Sequence, residues 1–225
     1  MQTHFILLAN IRTGSTLLAS LLNAHPDICC DGERFADASF SAEAAHQHLQ
    51  QRIAQTTTAA YGFIFRLGQI HDASQSLSHH FLNTLVANGW RILFLRRENL
   101  MRQALSRLVA QQHATWHISE RTALPAIPID CTKLLATMRR FEISNALYAQ
   151  WTRAVPHTAL VYEHDLRDAH HHQATVNRIC KTLSLPNKRV TTKLTRSTAP
   201  HLRDVVTNYD EVVACLAGTR YAVYL

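Results

Sequence analysis

The chain has 225 residues, 47% of them hydrophobic and 17% charged, enough apolar material to bury the core of one domain spanning residues 1–225. No stretch approaches the roughly 18 apolar residues of a membrane span, and no basic residue precedes the first apolar run, so neither a spanning helix nor a signal peptide is expected. The formal net charge of +7 is neither gathered into a run nor interleaved with aromatics, so no nucleic-acid partner is expected; a pocket for an anionic nucleotide or an acidic glycan explains the same charge, which by itself decides for neither reading. A soluble cytoplasmic protein follows, with peripheral attachment to membrane-bound machinery and the oligomeric state left open.

Phe5 to Ala9 is an apolar run long enough for a buried strand, 5–9. The turn Asn10-Ile11-Arg12-Thr13-Gly14 follows. Ser15-Thr16 then open a helix over 15–24 with Leu17, Leu18, Leu21 and Leu22 on one side, stopped by His25 and Pro26. The remaining elements are a strand at 61–66, helix 75–87, strand 91–95 after the turn signal Asn88-Gly89, helix 99–113, helix 131–154, strand 158–162, helix 169–183 and helix 201–217. Residues 31–35 read as a loop, and 114–130, with Pro125 and Pro128, as a long excursion. Strands alternating with helices imply an α/β fold of three layers, a mostly parallel central sheet flanked by helices. Ligands in such sheets bind beyond the carboxyl ends of the strands. Arg12, Arg66, Arg97 and Tyr162 all fall at or just past those ends.

The five cysteines, at 29, 30, 131, 180 and 215, contain no C-x-x-C pair and read as reduced core thiols. His170-His171-His172 reads as a solvated loop at a helix start, and no metal site is expected.

A strand–turn–helix with glycine in the turn and hydroxyls at the helix start builds an anion cradle. Free backbone N–H groups and the positive end of the helix dipole point at the ligand. The sequence is not a Walker A loop, because that pattern needs a second glycine and a lysine. Arg12 stands two residues before Gly14 instead. Its guanidinium stays charged and forks onto two oxygens, which suits a phosphate or a sulfate. No carboxylate stands at another strand end to hold the magnesium of a kinase or NTPase.

R-x-G-S-T, followed by L-L and closed by H-P, resembles the 5′-phosphosulfate-binding loop of sulfotransferases. A second match lies in RILFLRRENLMRQALSRLVA at 91–110, where Arg97 ends a strand and Ser106 lies on the next helix. Eight residues separate them, a spacing similar to that of bacterial carbohydrate-type members. Arg96 competes with Arg97, and the register stays open. Asn208-Tyr209-Asp210-Glu211 resembles the recurring core of the family's C-terminal helix. TALVYEHDLRD at 158–168 resembles its strand ending in Tyr-Glu, with His164 as an extra residue in the usual Y-E-D-L.

The resemblance implies a P-loop NTPase-like sulfotransferase fold, 3′-phosphoadenosine 5′-phosphosulfate as donor, adenosine 3′,5′-bisphosphate as product, and no metal. It implies that Arg12 neutralises the phosphosulfate as the sulfuryl group leaves. The N–H groups of Thr13, Gly14, Ser15, Thr16 and Leu17 would cradle the 5′-phosphate, with the Ser15 and Thr16 hydroxyls helping. Arg97 and Ser106 would hold the 3′-phosphate, Tyr162 the adenine, and Lys193 or Arg196 a cationic loop over the 3′ end. Arg66 would meet the acceptor or the sulfate. Gly32-Glu33 resembles the Gly-Glu pair of glycan-directed members, which makes Glu33 the general base, with His25 and His71 in reserve. The acceptor would be a hydroxyl of a bacterial surface carbohydrate or glycolipid. A P-loop nucleotide kinase and a non-catalytic nucleotide-binding module are the competing functions.

Overall fold

Phe5 to Ala9 are all buried in β1 (Thr3–Ala9), because this strand sits at the centre of a parallel sheet covered on both faces. The computed structural model describes residues 2–35, 42–67, 76–113, 125–194 and 201–225. The other strands are β2 (Ile28–Glu33), β3 (Ala60–Phe65), β4 (Arg91–Arg96) and β5 (His157–Val161), in the order β2-β3-β1-β4-β5 with every pairing parallel. The helices are α1 (Ser15–Asn23), α2 (Ala42–Ala54), α3 (Ser76–Ala87), α4 (Leu100–Gln112), α5 (Cys131–Thr152), α6 (His172–Leu183) and α7 (Tyr209–Ala217).

The period of two along β1 makes two cores. Phe5, Leu7 and Ala9 pack with Leu18, Leu21 and Leu22 of α1 and with Val176 and Ile179 of α6. Ile6 and Leu8 pack on the other face with Leu49 of α2, Phe81, Leu82 and Leu85 of α3, and Trp151 of α5. Gly62 stands opposite Phe5 in the β1–β3 register, and a Cβ there would come within 2.4 Å of the Phe5 ring. The missing side chain makes room for the phenyl.

The described chain divides into two compact units. One holds the whole sheet, from the start of the described chain to Arg96, together with Leu147–Thr192. The other holds Arg97–Ala146 and Lys193–Leu225. In this second unit the segment before α5 zips onto the segment before α7. Ile127 bridges Val206, its N–H donating to Val205 at 3.0 Å and its carbonyl accepting from Thr207 at 3.1 Å. The Asn208 side chain then closes the zip, accepting from the Ile129 N–H at 2.9 Å and donating to its carbonyl at 3.1 Å.

The α/β sheet flanked by helices is as the sequence implies, but several elements differ. Residues 28–33 are edge strand β2, not part of a loop, and α2 was not foreseen. The expected helix 201–217 breaks into a 3₁₀ turn, Leu202–Asp204, and α7, because 205–208 are used in the zip. Tyr162 lies just past β5, in a π-helical turn Tyr162–Leu166 closed by Arg167 N–H onto the Tyr162 carbonyl at 2.8 Å. A π turn holds one residue more than an α turn, and His164 lies within it. The stretch 169–183 starts as a 3₁₀ turn, Ala169–His171, before α6. Of the cysteines only Cys30 and Cys180 are buried; Cys29, Cys131 and Cys215 are partly exposed.

Candidate active site

Between β1 and β4 the strand order reverses, since the chain leaves β1 towards β2 on one side and β4 towards β5 on the other. Crevices at such reversals are where open α/β sheets bind ligands. The loop that leaves β1 there has an unusual backbone. Arg12 (φ 60°) and Gly14 (φ 91°) are both left-handed, and Thr13 between them is not. Alternation of this kind is how anion-binding nests aim successive amides at a ligand. The loop is stapled by its own residues: Thr13 Oγ1 donates to the Asn10 carbonyl at 2.7 Å, and Ile11 N–H to Asn10 Oδ1 at 2.8 Å. Thr13 is fully buried and its hydroxyl is spent on the Asn10 carbonyl.

Gly14 is the N-cap of α1, and no side chain caps this helix. Its carbonyl accepts from Leu18 at 3.0 Å, which leaves the Ser15, Thr16 and Leu17 amides as the free donors every helix start presents. Only glycine fits here. Besides the left-handed φ, a Cβ would fall 2.8 Å from the Tyr162 ring. Tyr162 is accordingly a buried side chain packed beneath the turn, sharing its core with Leu166.

At the other end of the carboxyl edge, β2 carries a bulge. Its register to β3 passes from Asp31↔Phe63 to Glu33↔Ile64, so Gly32 is the extra residue. Bulges re-aim side chains, and the one after it is Glu33. Its Oε2 is ion-paired with Arg66, immediately beyond β3. Glu33 Oε1 accepts nothing from any described residue and the side chain is 30% exposed, so one oxygen is held while the other can take a proton.

Asp31, two residues earlier, is the opposite case. It accepts from Arg34 at 2.8 Å, from Arg52 Nε and Nη2 at 3.1 Å each, and from Tyr61 at 3.0 Å. Burial pushes its carboxyl up, but the bonds from Arg34, Arg52 and Tyr61 outweigh that and hold it below the ordinary value. Asp31 is an anchor for β2.

His25 is only 1% exposed and both its ring nitrogens are used. Nδ1 accepts from the Asp27 N–H at 3.1 Å, and Nε2 faces the Pro186 carbonyl at 2.9 Å, so Nε2 carries the proton. No lone pair remains to act as a base. His71 lies outside the described residues.

Tyr148 was not foreseen. Its hydroxyl donates to the Ala9 carbonyl at 3.2 Å and accepts from the Leu67 N–H at 3.0 Å, tying together the carboxyl ends of β1 and β3. Burial pushes its pKa up to about 12, so it remains a donor.

The structure thus brings Arg12, the loop amides, Tyr162, Glu33 and Arg66 to one edge of the sheet. The remaining expected residues belong to the second unit. Arg97 follows the exposed Arg96 directly where β4 ends and is half-buried; Ser106 is buried on α4. Lys193 is exposed, directly after Thr192, whose hydroxyl bonds Ser20 of α1 at 2.7 Å. Arg196 lies outside the described residues.

No protein-family model and no curated protein matches this sequence. A solved structure does. The crystal structure of a sulfotransferase from Alicyclobacillus acidocaldarius matches with a TM-score of 0.56, over 96% of this chain and 95% of that one, at 16% identity. The chain has the fold of that sulfotransferase. At 96% of this chain, the likeness extends over both units. Among the described residues no helix is long and apolar enough to cross a membrane.

Proposed function

We propose that this chain is a sulfotransferase, moving a sulfuryl group from 3′-phosphoadenosine 5′-phosphosulfate to a hydroxyl of a bacterial surface carbohydrate or glycolipid, as one cytoplasmic domain over residues 1–225. The observation that carries the reading is the start of α1: a nest with two left-handed residues, an uncapped helix N-terminus and Arg12 in the turn. Amides fixed before the ligand arrives cost no reorganisation during reaction, and each such donor typically contributes about 10²–10³-fold in rate.

In this reading the Thr13–Leu17 amides hold the 5′-phosphate and Arg12 faces the bridging oxygen. The acceptor hydroxyl attacks sulfur; the new O–S bond forms as the S–O bond to the phosphate breaks. Negative charge grows on that phosphate, where Arg12 and the helix N-terminus meet it. The hydroxyl proton passes to Glu33 Oε1, with Arg66 holding the other oxygen. Arg97 and Ser106 take the 3′-phosphate, Lys193 or Arg196 covers it, and Tyr162 supports the turn on the adenine side. Adenosine 3′,5′-bisphosphate is the leaving product, and the charge needed comes from arginine and amides rather than from a metal.

The test is transfer of ³⁵S from labelled donor to a panel of carbohydrates and glycolipids in EDTA. Label in an acceptor supports the reading. Transfer of ³²P from the γ-position of ATP, with magnesium and without ³⁵S transfer, would make the chain a kinase. Tight nucleotide binding with no transfer to any acceptor would make it a binding module.

A further inference from the structure

In the second unit, α5 carries two different stripes. Leu134, Met138 and Phe141 are buried and form its core face. A neighbouring stripe, Leu135, Arg139, Arg140 and Ile143, instead lines an open groove of about 750 Å³ whose other wall is Arg220 and Tyr221 of the 3₁₀ turn Arg220–Tyr224. That wall is fixed. Arg220 is ion-paired with Glu142 and its guanidinium lies 5.2 Å from the Tyr221 ring centroid, while the Tyr221 hydroxyl donates to Glu142 at 3.0 Å.

The groove combines two features that rarely coexist on a purely solvated face. Its floor is apolar, and Ile143 is 57% exposed; Val223, in the same 3₁₀ turn as the wall, is 79% exposed. Its cations outnumber its acids. None of its lining residues is acidic, and the adjacent Glu142 is already engaged by Arg220. Arg139 and Arg140 form no ion pair with a described residue and are exposed. Arg107 of α4 adds a third charge close to Arg140; burial and then the Arg140 charge pull its pKa down. Guanidinium groups gathered without counter-ions repel one another until an anion joins them.

We propose that this groove docks the chain on a bilayer containing anionic phospholipid, with Arg139 and Arg140 on the phosphates and Ile143 and Val223 in the headgroup–acyl boundary. A sugar or nucleotide has no use for the exposed aliphatic side chains, and a neutral apolar partner has none for the unpaired arginines. Anionic lipid satisfies both, by apolar burial and by attraction of surface cations. The inference does not rest on sulfuryl transfer, and no residue lining the groove is assigned to it.

The experiment is co-sedimentation of the full chain with large vesicles of phosphatidylglycerol and phosphatidylcholine, against vesicles of phosphatidylcholine alone, at low and high salt. Binding should require phosphatidylglycerol and weaken steeply with salt. A basic residue near such a surface contributes about fivefold in partitioning, so Arg139→Gln with Arg140→Gln should lower it roughly 25-fold. Ile143→Ser with Val223→Ser should lower it at both salt concentrations. All four side chains are exposed, so melting temperature and nucleotide binding should stay at wild-type values. Equal binding to both vesicles, no binding to either, or undiminished binding by the arginine pair variant overturns the proposal. So does binding of monomeric dihexanoyl phosphatidylglycerol without vesicle binding, which would make the occupant a free amphiphile.

Discussion

Two strand-to-helix junctions leave the carboxyl edge of the sheet at its reversal point, and they are built differently. After β1 the chain turns through two left-handed residues, and α1 starts at Gly14 without a side-chain cap. After β4 the helix α4 starts at Asn99, whose side chain accepts from the Arg102 N–H at 2.8 Å. The first junction presents its backbone donors; the second has spent at least one of them on its own side chain. An anion at the first can be held by amides and dipole, whereas at the second fewer amides are free and side chains carry more of the contact, with Arg97 and Ser106 the candidates. Glycine in one junction and asparagine in the other therefore decide which kind of anion contact each can make.

The largest expected effect separates proton transfer at the β2 bulge from nucleotide grip at the two junctions. A general base contributes about 10²–10⁴-fold, so Glu33→Gln should lower kcat by that order with nucleotide affinity near wild type. Arg66 still finds an oxygen in the glutamine, so the fold should persist. Undiminished turnover would remove Glu33 from the role, and His25 could not inherit it with both ring nitrogens committed.

Next comes the second junction. A hydrogen bond to a charged group contributes about 1.5–3 kcal/mol, so Arg97→Ala should weaken adenosine 3′,5′-bisphosphate binding roughly 10- to 150-fold, measured by calorimetry. Arg96→Ala should cost much less, and the reverse ranking would move the assignment to Arg96.

A third variant attacks the first junction's backbone. Gly14→Ala forces a side chain into the left-handed region, costing about 1–2 kcal/mol, and displaces the Tyr162 ring 2.8 Å away. Denaturant unfolding should show at least that loss, together with weaker phosphate binding. Wild-type stability would mean that the turn is not held as described.

The smallest effect sharpens the contrast. Asn99→Ala removes a cap and should lower stability by about 1 kcal/mol without changing nucleotide affinity. A large loss of affinity would show that the α4 start also binds ligand through its backbone.

The first junction was legible in sequence because its determinants are local: an apolar run, one glycine and two hydroxyls within a dozen residues. β2 was not. Its residues, ICCDGE, turn polar halfway, lie at the sheet edge, and carry a bulge that breaks the alternation by which strands are recognised. Glu33 is therefore singled out by its motif alone, while its element is a strand rather than a loop. Tyr148 could not be found at all, since its partner at Ala9 is 139 residues away. His25 looked available for the same reason, its partner being the carbonyl of Pro186. The Asn208 motif was legible as a pattern, and the structure gives it a mechanical meaning as the clamp on Ile129.

In the proposed sulfotransferase two anion contacts of different construction serve one nucleotide. Calorimetric titration with adenosine 3′,5′-bisphosphate, 5′-AMP and 3′-AMP in EDTA tests this most directly. Loss of either phosphate should weaken binding by about 10-fold or more, and Arg97→Ala should erase the difference between the bisphosphate and 5′-AMP. Equal affinity of the bisphosphate and 5′-AMP in the wild-type protein would contradict the account.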